Sequence, residues 1–552
     1  MNNDVIAQAY LYFQHGKLDA AHAILQPLAQ ADDADVGVLH LAGAVAAAMQ
    51  RHTEAIAWLR RALVLTPKDL AVSYKLGRVL YEGGQQQEAL SLYLQLIAAG
   101  VEHADIYVAA ALLLQEFRRD EEALQTLEHA LRLAPQAADT WYRHAVLLGR
   151  LQRPADALHS MQQAIALAPE RLQYRLDLAL VLYSLHRNED ALACVDQVLT
   201  QEPRAADAWA CRAASLSRLC RYEESIVASE QALALQSGNP DSSVNLALTQ
   251  LTLGRLESAW PLYEARWYGE LADPRRHREI APLPGLHAVA GKTILLWAEQ
   301  GLGDTIHFCR YARELLALGA RVVLEVPASL KSLMQTLAQD QNFIVKALGE
   351  PLPRIDHQVP LMSLPLLFNT QMDSIPAAQA YLFADPHKQH GWRETLGAPA
   401  GLRIGIVCSG NAGNHNDRRR SIPLAAFAPL LETSDADFFL LQPEIRQRDE
   451  AYLQASTAMQ WPGRELKAFD DSAALIRNLD LVIGVDTAAV HLAGALGVPV
   501  WILLSKAADW RWFLERSDSP WYASASLFRQ TQAGDWDELL GRVRAELLAL
   551  QA

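Results

Sequence analysis

The chain has 552 residues, half of them hydrophobic, and a formal charge of −14. That length calls for two or three domains, and the acidic balance argues against a partner held through nucleic-acid phosphates. The opening MNNDVIAQAY has no basic region ahead of an apolar core, and no stretch is long and apolar enough to span a bilayer, so a cytoplasmic protein is expected.

The first half carries an internal repeat. Ala21, Ala55, Ala89, Ala123, Ala157, Ala191, Ser225 and Ala259 form a ladder with a step of 34. Twelve residues before each stands another small residue: Ala9, Gly43, Gly77, Ala111, Ala145, Ala179, Ala213, Ala247. Pro67, Pro135, Pro169 and Pro203 follow their ladder alanines by twelve. Small residues are required where two helices cross closely, and a proline ends the second helix of a unit. This is the tetratricopeptide pattern, with about eight units over 1–271. Units of this kind stack into a superhelix whose groove takes a peptide or protein. Tyr74, Tyr107, Trp141, Tyr174, Trp209 and Asn245 stand within about a turn before a rung, and read first as packing residues. The last unit, Trp260-Pro-Leu-Tyr-Glu-Ala-Arg-Trp267, has an aromatic load suited to capping the array against the next domain. The five cysteines, three of them between Cys194 and Cys220 and the others Cys309 and Cys408, show neither CxxC pairing nor zinc spacing. They read as buried thiols of a reducing compartment.

Periodicity stops over 272–291, which includes Asp273-Pro-Arg-Arg-His and Pro282-Leu-Pro-Gly and reads as a linker. A short apolar strand follows, Lys292 to Trp297, then Ala298-Glu-Gln-Gly-Leu-Gly-Asp304, a helical pattern from Thr305 to about Leu318, and the strand Val322–Val326. A glycine turn at a strand's carboxyl end is where parallel sheets bind ligands, although a lone Gly-x-Gly with Asp304 as a helix cap has a plain structural reading as well. The first sheet domain spans 292–398. The second, 399–530, opens with the strand Leu402–Cys408 and the loop Ser409-Gly-Asn-Ala-Gly-Asn-His-Asn-Asp-Arg-Arg-Arg-Ser421, whose Asn411 and Arg418 with Ser409 suit a phosphate. Gln442 ends the next strand, and Asp470-Asp-Ser472 reads as helix caps.

The run Leu479–Val485 then breaks at Asp486-Thr487. A small-residue helix containing His491 follows, and after Gly497-Val-Pro499 comes a second apolar run to Leu504: a βαβ unit whose helix N-terminus faces the ligand crevice. Asp486 and Thr487 alone would be caps and His491 a core histidine; together they indicate a ligand site. Lys506 and the tryptophan-dense Asp509-Trp-Arg-Trp512 and Asp518-Ser-Pro-Trp-Tyr522 come next, and a final helix, Trp536 to Leu550, within 531–552, is expected to pack back on the sheets.

Asp486 to Pro499 resembles the C-terminal signature of heptosyltransferase-type GT-B glycosyltransferases, and Glu299 to Thr305 with Arg310-Tyr311 resembles their N-terminal Gly-x-Gly-Asp segment. The whole chain resembles a bacterial group in which tetratricopeptide repeats are fused to such a domain, a layout similar to O-linked N-acetylglucosamine transferases and flagellin glycosyltransferases. The resemblance implies an α-solenoid followed by a GT-B fold of two Rossmann-like α/β domains, a nucleotide-sugar co-substrate and no other cofactor. It implies Asp304 as general base; Glu299 is a competing carboxylate that those enzymes do not supply in the same way, so either could be the base. It places the donor against the Asp486–His491 region, and Gly301, Gly303, Ser409, Asn411, Arg418, Gln442, Thr487 and Lys506 join Asp486 and His491 as candidate contacts. No Asp-x-Asp stands at a strand end, so no metal is expected. The preferred acceptor is a protein held by the repeats, flagellin or another surface protein. The rivals are a lipid-linked or oligosaccharide acceptor, or a scaffold that has lost catalysis.

Overall fold

A computed structural model describes residues 2–269, 275–376, 380–413, 417–432 and 435–551. Asp273 of the linker and Asn414, His415 and Asn416 of the loop after residue 409 lie outside the described residues. The chain divides into two compact units, Met1–Gln201 and Glu202–Ala552.

The first unit is six helix pairs, from Asn2–Gln14 with Leu18–Gln30 to Leu172–Ser184 with Asn188–Gln201, each packed on its neighbours in order. The ladder explains the packing. Ala21, Ala55, Ala89, Ala123, Ala157 and Ala191 are fully buried, as are Ala9, Ala111, Ala145 and Ala179. At Gly43 a Cβ would come within 2.6 Å of Leu59 Cγ, and at Gly77 within 2.4 Å of the Tyr93 ring. Those crossings admit nothing larger than hydrogen. The helices ending at Leu65, Leu133, Leu167 and Gln201 each stop two residues before a ladder proline, whose ring disfavours helical backbone in the residue ahead of it. A further 34-residue period appears in the backbone: Gly16, Gln50, Gly84, Arg118, Gln152 and His186 all turn between paired helices with positive φ. Four of these are not glycine, so the sequence carries no uniform mark for the turn. Between neighbouring units Tyr142 and Tyr174 stack at 4.5 Å, and each phenol donates to an aspartate of the other's unit, Asp177 and Asp139 respectively.

The second unit begins with two more helix pairs, Ala206–Arg218 with Tyr222–Leu235 and Pro240–Thr252 with Leu256–Tyr263. Ser225 replaces the ladder alanine; its buried hydroxyl donates to the Ala213 carbonyl at 2.8 Å, so the polar substitution leaves no unpaired group. The last pair shares one core with the sheets that follow. Trp260 packs edge-on against Trp510 and donates to the Thr370 carbonyl.

Two all-parallel sheets follow. The first comprises β1 (Thr293–Trp297), β2 (Arg321–Val326), β3 (Phe343–Ala347) and β4 (His357–Pro360), in the order β3-β2-β1-β4. The linker does more than connect: Pro282 bridges to Gln358, and Arg276 and His277 hold the buried Glu325 at the end of β2. The second comprises β5 (Leu402–Val407), β6 (Ala436–Leu440), β7 (Met459–Gln460), β8 (Leu481–Val485), β9 (Val500–Leu504) and β10 (Ala525–Arg529), in the order β10-β9-β8-β5-β6-β7. The inner strands β1, β2, β5, β8 and β9 are buried on both faces, which is why they read as nearly continuous apolar runs. In each, the direction of winding reverses beside the first strand, between β1 and β4 and between β5 and β8. Such reversals open a crevice at the strands' carboxyl ends. The helical pattern expected from Thr305 to Leu318 is broken at Cys309–Arg310 into Leu302–Phe308 and Tyr311–Ala317. There Arg310 turns inward, fully buried, to donate to the carbonyls of His307 and Trp521 and to the Tyr381 hydroxyl. The closing helix, Trp536–Gln551, buries Leu539, Leu540, Val543 and Leu547 in the core of the second sheet.

Candidate functional site

The two stretches singled out by sequence meet. The turn after β1 passes through Gln300, which has φ +57°, and enters the helix Leu302–Phe308. That helix packs on the helix Ala488–Ala495, which follows β8 in the other sheet. At Gly303 a Cβ would lie 3.2 Å from His491 Cδ2 and 3.5 Å from Ala488 Cα. The glycine is what lets the first loop reach the start of the second helix.

Asp304 lies at this contact. Its Oδ2 accepts the Gly301 amide at 2.9 Å, which caps the short helix, and its Oδ1 pairs with Arg511 at 2.6 Å. Its side chain remains 22% exposed, whereas that of Arg511 is 7% exposed. Arg511 also holds Asp509 at 2.8 Å and lies 4.3 Å over the Trp510 ring. Glu299 is in a different state. Buried, it receives two hydrogen bonds from Arg266, each 3.0 Å, and one from the Met362 amide. Burial raises its carboxyl above the usual value, against the pull of the Arg266 charge and of those hydrogen bonds. Of the two carboxylates, Asp304 is the one with a face toward solvent.

After β8, Asp486 places Oδ1 3.5 Å from His491 Nε2, and its carbonyl accepts from Arg420 at 2.6 Å. Burial works to raise the Asp486 carboxyl, but the hydrogen bond and charge of His491, with Arg420, bring it below its ordinary value. Thr487 starts the helix Ala488–Ala495, yet its hydroxyl caps no amide and is buried without a partner. His491 stacks on Trp512 at 5.1 Å and receives or donates a 2.9 Å hydrogen bond at Nδ1 with Tyr522. Gly410, after β5, lies under Arg420, whose guanidinium a Cβ would strike at 2.6 Å.

The other candidates are placed differently. Gln442 and Ser409 are buried and bonded to each other, with Gln442 also accepting the Cys408 amide, so they tie the ends of β5 and β6 together. Asn411 is exposed and accepts the Gly413 amide; Arg418 and Lys506 are exposed. Gly301 is exposed, with ordinary extended backbone at φ −79°. Of the remaining site residues, Arg511 and Tyr522 have no role readable from sequence, whereas Arg420 stands in the phosphate-suited loop and His307 is a fallback candidate for the base. Arg511 and Tyr522 lie in the tryptophan-dense blocks, whose pattern alone indicates no role; Arg420 lies two residues from Arg418. Among the described residues no group of three His, Cys, Asp or Glu side chains is disposed to hold a metal ion, and no helix is long and apolar enough to cross a membrane.

The family comparison bears on the N-terminal part. The tetratricopeptide-repeat family matches residues 6–69, 74–138, 142–193 and 176–240. Protein FlbA of Caulobacter vibrioides is 29% identical over 343 residues, which is 56% of this chain and 56% of that protein, so the chain spans about half the length of this curated relative. Among solved structures, YrrB, described as a TPR protein with an unusual peptide-binding site, is 21% identical, covering 33% of this chain and 95% of its own, with a TM-score of 0.32. A tetratricopeptide repeat protein from Parabacteroides merdae is 18% identical, covering 43% of this chain and 94% of its own, with a TM-score of 0.36. The chain is thus a helical array of tetratricopeptide repeats followed by an α/β region of parallel sheets.

Proposed function

We propose that the α/β region is a metal-independent glycosyltransferase of the GT-B type, moving a sugar from a nucleotide-sugar donor to a hydroxyl of a protein acceptor recruited by the repeats. Flagellin or another surface protein is the preferred acceptor, on the strength of the family resemblance and the layout alone. The observation that carries the reading is the meeting of Gly303 and Asp304 with the Asp486–His491 turn, each at the carboxyl end of a strand in its own parallel sheet.

In this reading the acceptor hydroxyl gives its proton to Asp304 as its oxygen attacks the anomeric carbon. The bond from that carbon to the donor phosphate breaks, and the nucleoside diphosphate leaves with the electron pair. The unpartnered Thr487 hydroxyl, the start of the helix Ala488–Ala495 and Arg420 supply hydrogen bonds and positive potential for the leaving diphosphate. A loss of about 100-fold in turnover is expected for Asp304→Asn with donor affinity little changed. Glu299, engaged by Arg266, is the weaker candidate for the base.

A second reading is a scaffold that binds without reacting. It draws on Asp304 itself, both of whose oxygens are already engaged by Arg511 and Gly301. The two readings separate in one experiment. The full-length protein is screened by thermal shift against common nucleotides and nucleotide sugars, and release of free nucleotide is followed over hours. A shift that Thr487→Ala and His491→Ala abolish, with slow release, is the expected result. A shift without release supports the scaffold, and no shift with any compound refutes both.

A further inference from the structure

One phenol serves two imidazoles at the junction of the two sheets. The Tyr522 oxygen lies 2.9 Å from Nδ1 of His491 and 2.9 Å from Nδ1 of His307. A phenol has a single proton to donate. The neighbouring Tyr381 gives its own proton to the Ile306 carbonyl, so it supplies none to Tyr522. The remaining protons follow from charge. His491 Nε2 faces Asp486 at 3.5 Å, and a bare nitrogen lone pair there would oppose the Asp486 carboxylate, whose charged form the Arg420 guanidinium favours. Nε2 therefore carries the proton, and in the neutral ring Nδ1 is left to accept from Tyr522. The Tyr522 oxygen in turn accepts from His307, which burial first, and then the Arg310 and Arg511 charges, keep neutral. The two rings end in opposite tautomers, and the buried, unpartnered Nε2 of His307 is a bare lone pair.

We propose that Tyr522 is a positioning residue that couples His307 and His491 in opposite tautomers, so that His491 presents an Nε2–H to an anionic diphosphate at the Asp486–Thr487 turn. The ligand part rests on the donor site proposed above; the tautomers do not. The packing gives this coupling a rigid seat. Tyr522 lies directly on Gly494, where a Cβ would be 2.6 Å from its ring, and His491 is stacked on Trp512 with 22° between planes. A ring nitrogen oriented by the partner of the other nitrogen is the general way a histidine's donor face is set.

The test is nitrogen NMR of the full chain with labelled histidine, at pH 8, with signals assigned through His307→Gln and His491→Gln. The wild type is expected to show His491 protonated at Nε2 and bare at Nδ1, and His307 the reverse. Tyr522→Phe keeps the ring on Gly494 and removes the oxygen; the His307 signal should then move toward the Nε2–H form that free histidine prefers. Like tautomers in both rings of the wild type, or His491 protonated at Nδ1, overturn the proposal without any variant. Opposite tautomers that survive Tyr522→Phe unchanged overturn the role of Tyr522. Titration with inorganic pyrophosphate forms a separate arm. A shift at His491 Nε2 that leaves Nδ1 bare supports presentation to the diphosphate. No shift alongside the expected tautomers overturns the donor site and that presentation with it, and leaves the coupling established.

Discussion

The pair between Asp304 and Arg511 joins residues 207 positions apart in sequence, one from each sheet's loops, and its strength is measurable. At 2.6 Å the gross attraction is about 6 kcal/mol at an effective dielectric near 20. Most of that offsets the desolvation of a guanidinium that is 7% exposed, while Asp304 keeps part of its hydration at 22% exposed. A net coupling of about 2 kcal/mol is therefore expected, above the ~0.2–1 kcal/mol of an exposed pair. The measurement is a double-mutant cycle of Asp304→Asn, Arg511→Gln and the double variant by urea unfolding. Tryptophan fluorescence is a suitable probe, because only Trp58 and Trp141 of the 13 tryptophans precede residue 202. Arg511→Gln alone should cost more than Asp304→Asn alone, since it removes the Asp509 pair as well. A coupling below about 0.5 kcal/mol would show that the pair is a surface contact and that Arg511 does not fix the position of Asp304.

Three further outcomes are expected. Gly77→Ala drives a methyl into the buried Tyr93 ring and strains its bond to the Tyr74 carbonyl, so it should destabilise by about 1–3 kcal/mol; Gly149→Ala, with nothing within 4 Å, should gain up to about 1 kcal/mol from helix propensity. Equal effects of the two on denaturant unfolding would contradict the crossing argument. His307 is held neutral, its folded value lying well below the unfolded one, so its contribution is intact above the unfolded value and is lost as pH falls below it. Between pH 7.5 and 5.5 the wild type should lose about 1.4 kcal/mol more than His307→Gln, in urea unfolding at the two pH values. Gly303→Val should abolish any nucleotide-induced thermal shift, because its methyl groups would displace His491 and Ala488; a shift equal to that of the wild type would separate that contact from ligand binding.

Much of this architecture is determined by sequence that acts locally. Each helix crossing in the repeats is settled by two small residues twelve apart, so a 34-residue period of Ala and Gly suffices to place every pair, and the ladder reads directly as packing. The strand–turn–helix units around Gly303-Asp304 and Asp486-Thr487 are legible for the same reason, since a buried apolar run followed by a polar turn needs no distant partner to form. What the sequence could not decide is which charges find one another. Glu299 and Asp304 look alike as carboxylates in one glycine turn. Only the fold gives Glu299 the buried Arg266, 33 residues before it, and gives Asp304 the Arg511 of the other sheet. Arg418 and Arg420 likewise differ only once the loop is folded, when the second reaches the Asp486 carbonyl. Tyr522 meets His307 across 215 residues and His491 across 31. Contacts of this kind have no period and no local signature. They are set by where two sheets bring their loops together, and burial then makes each of those few polar bonds matter.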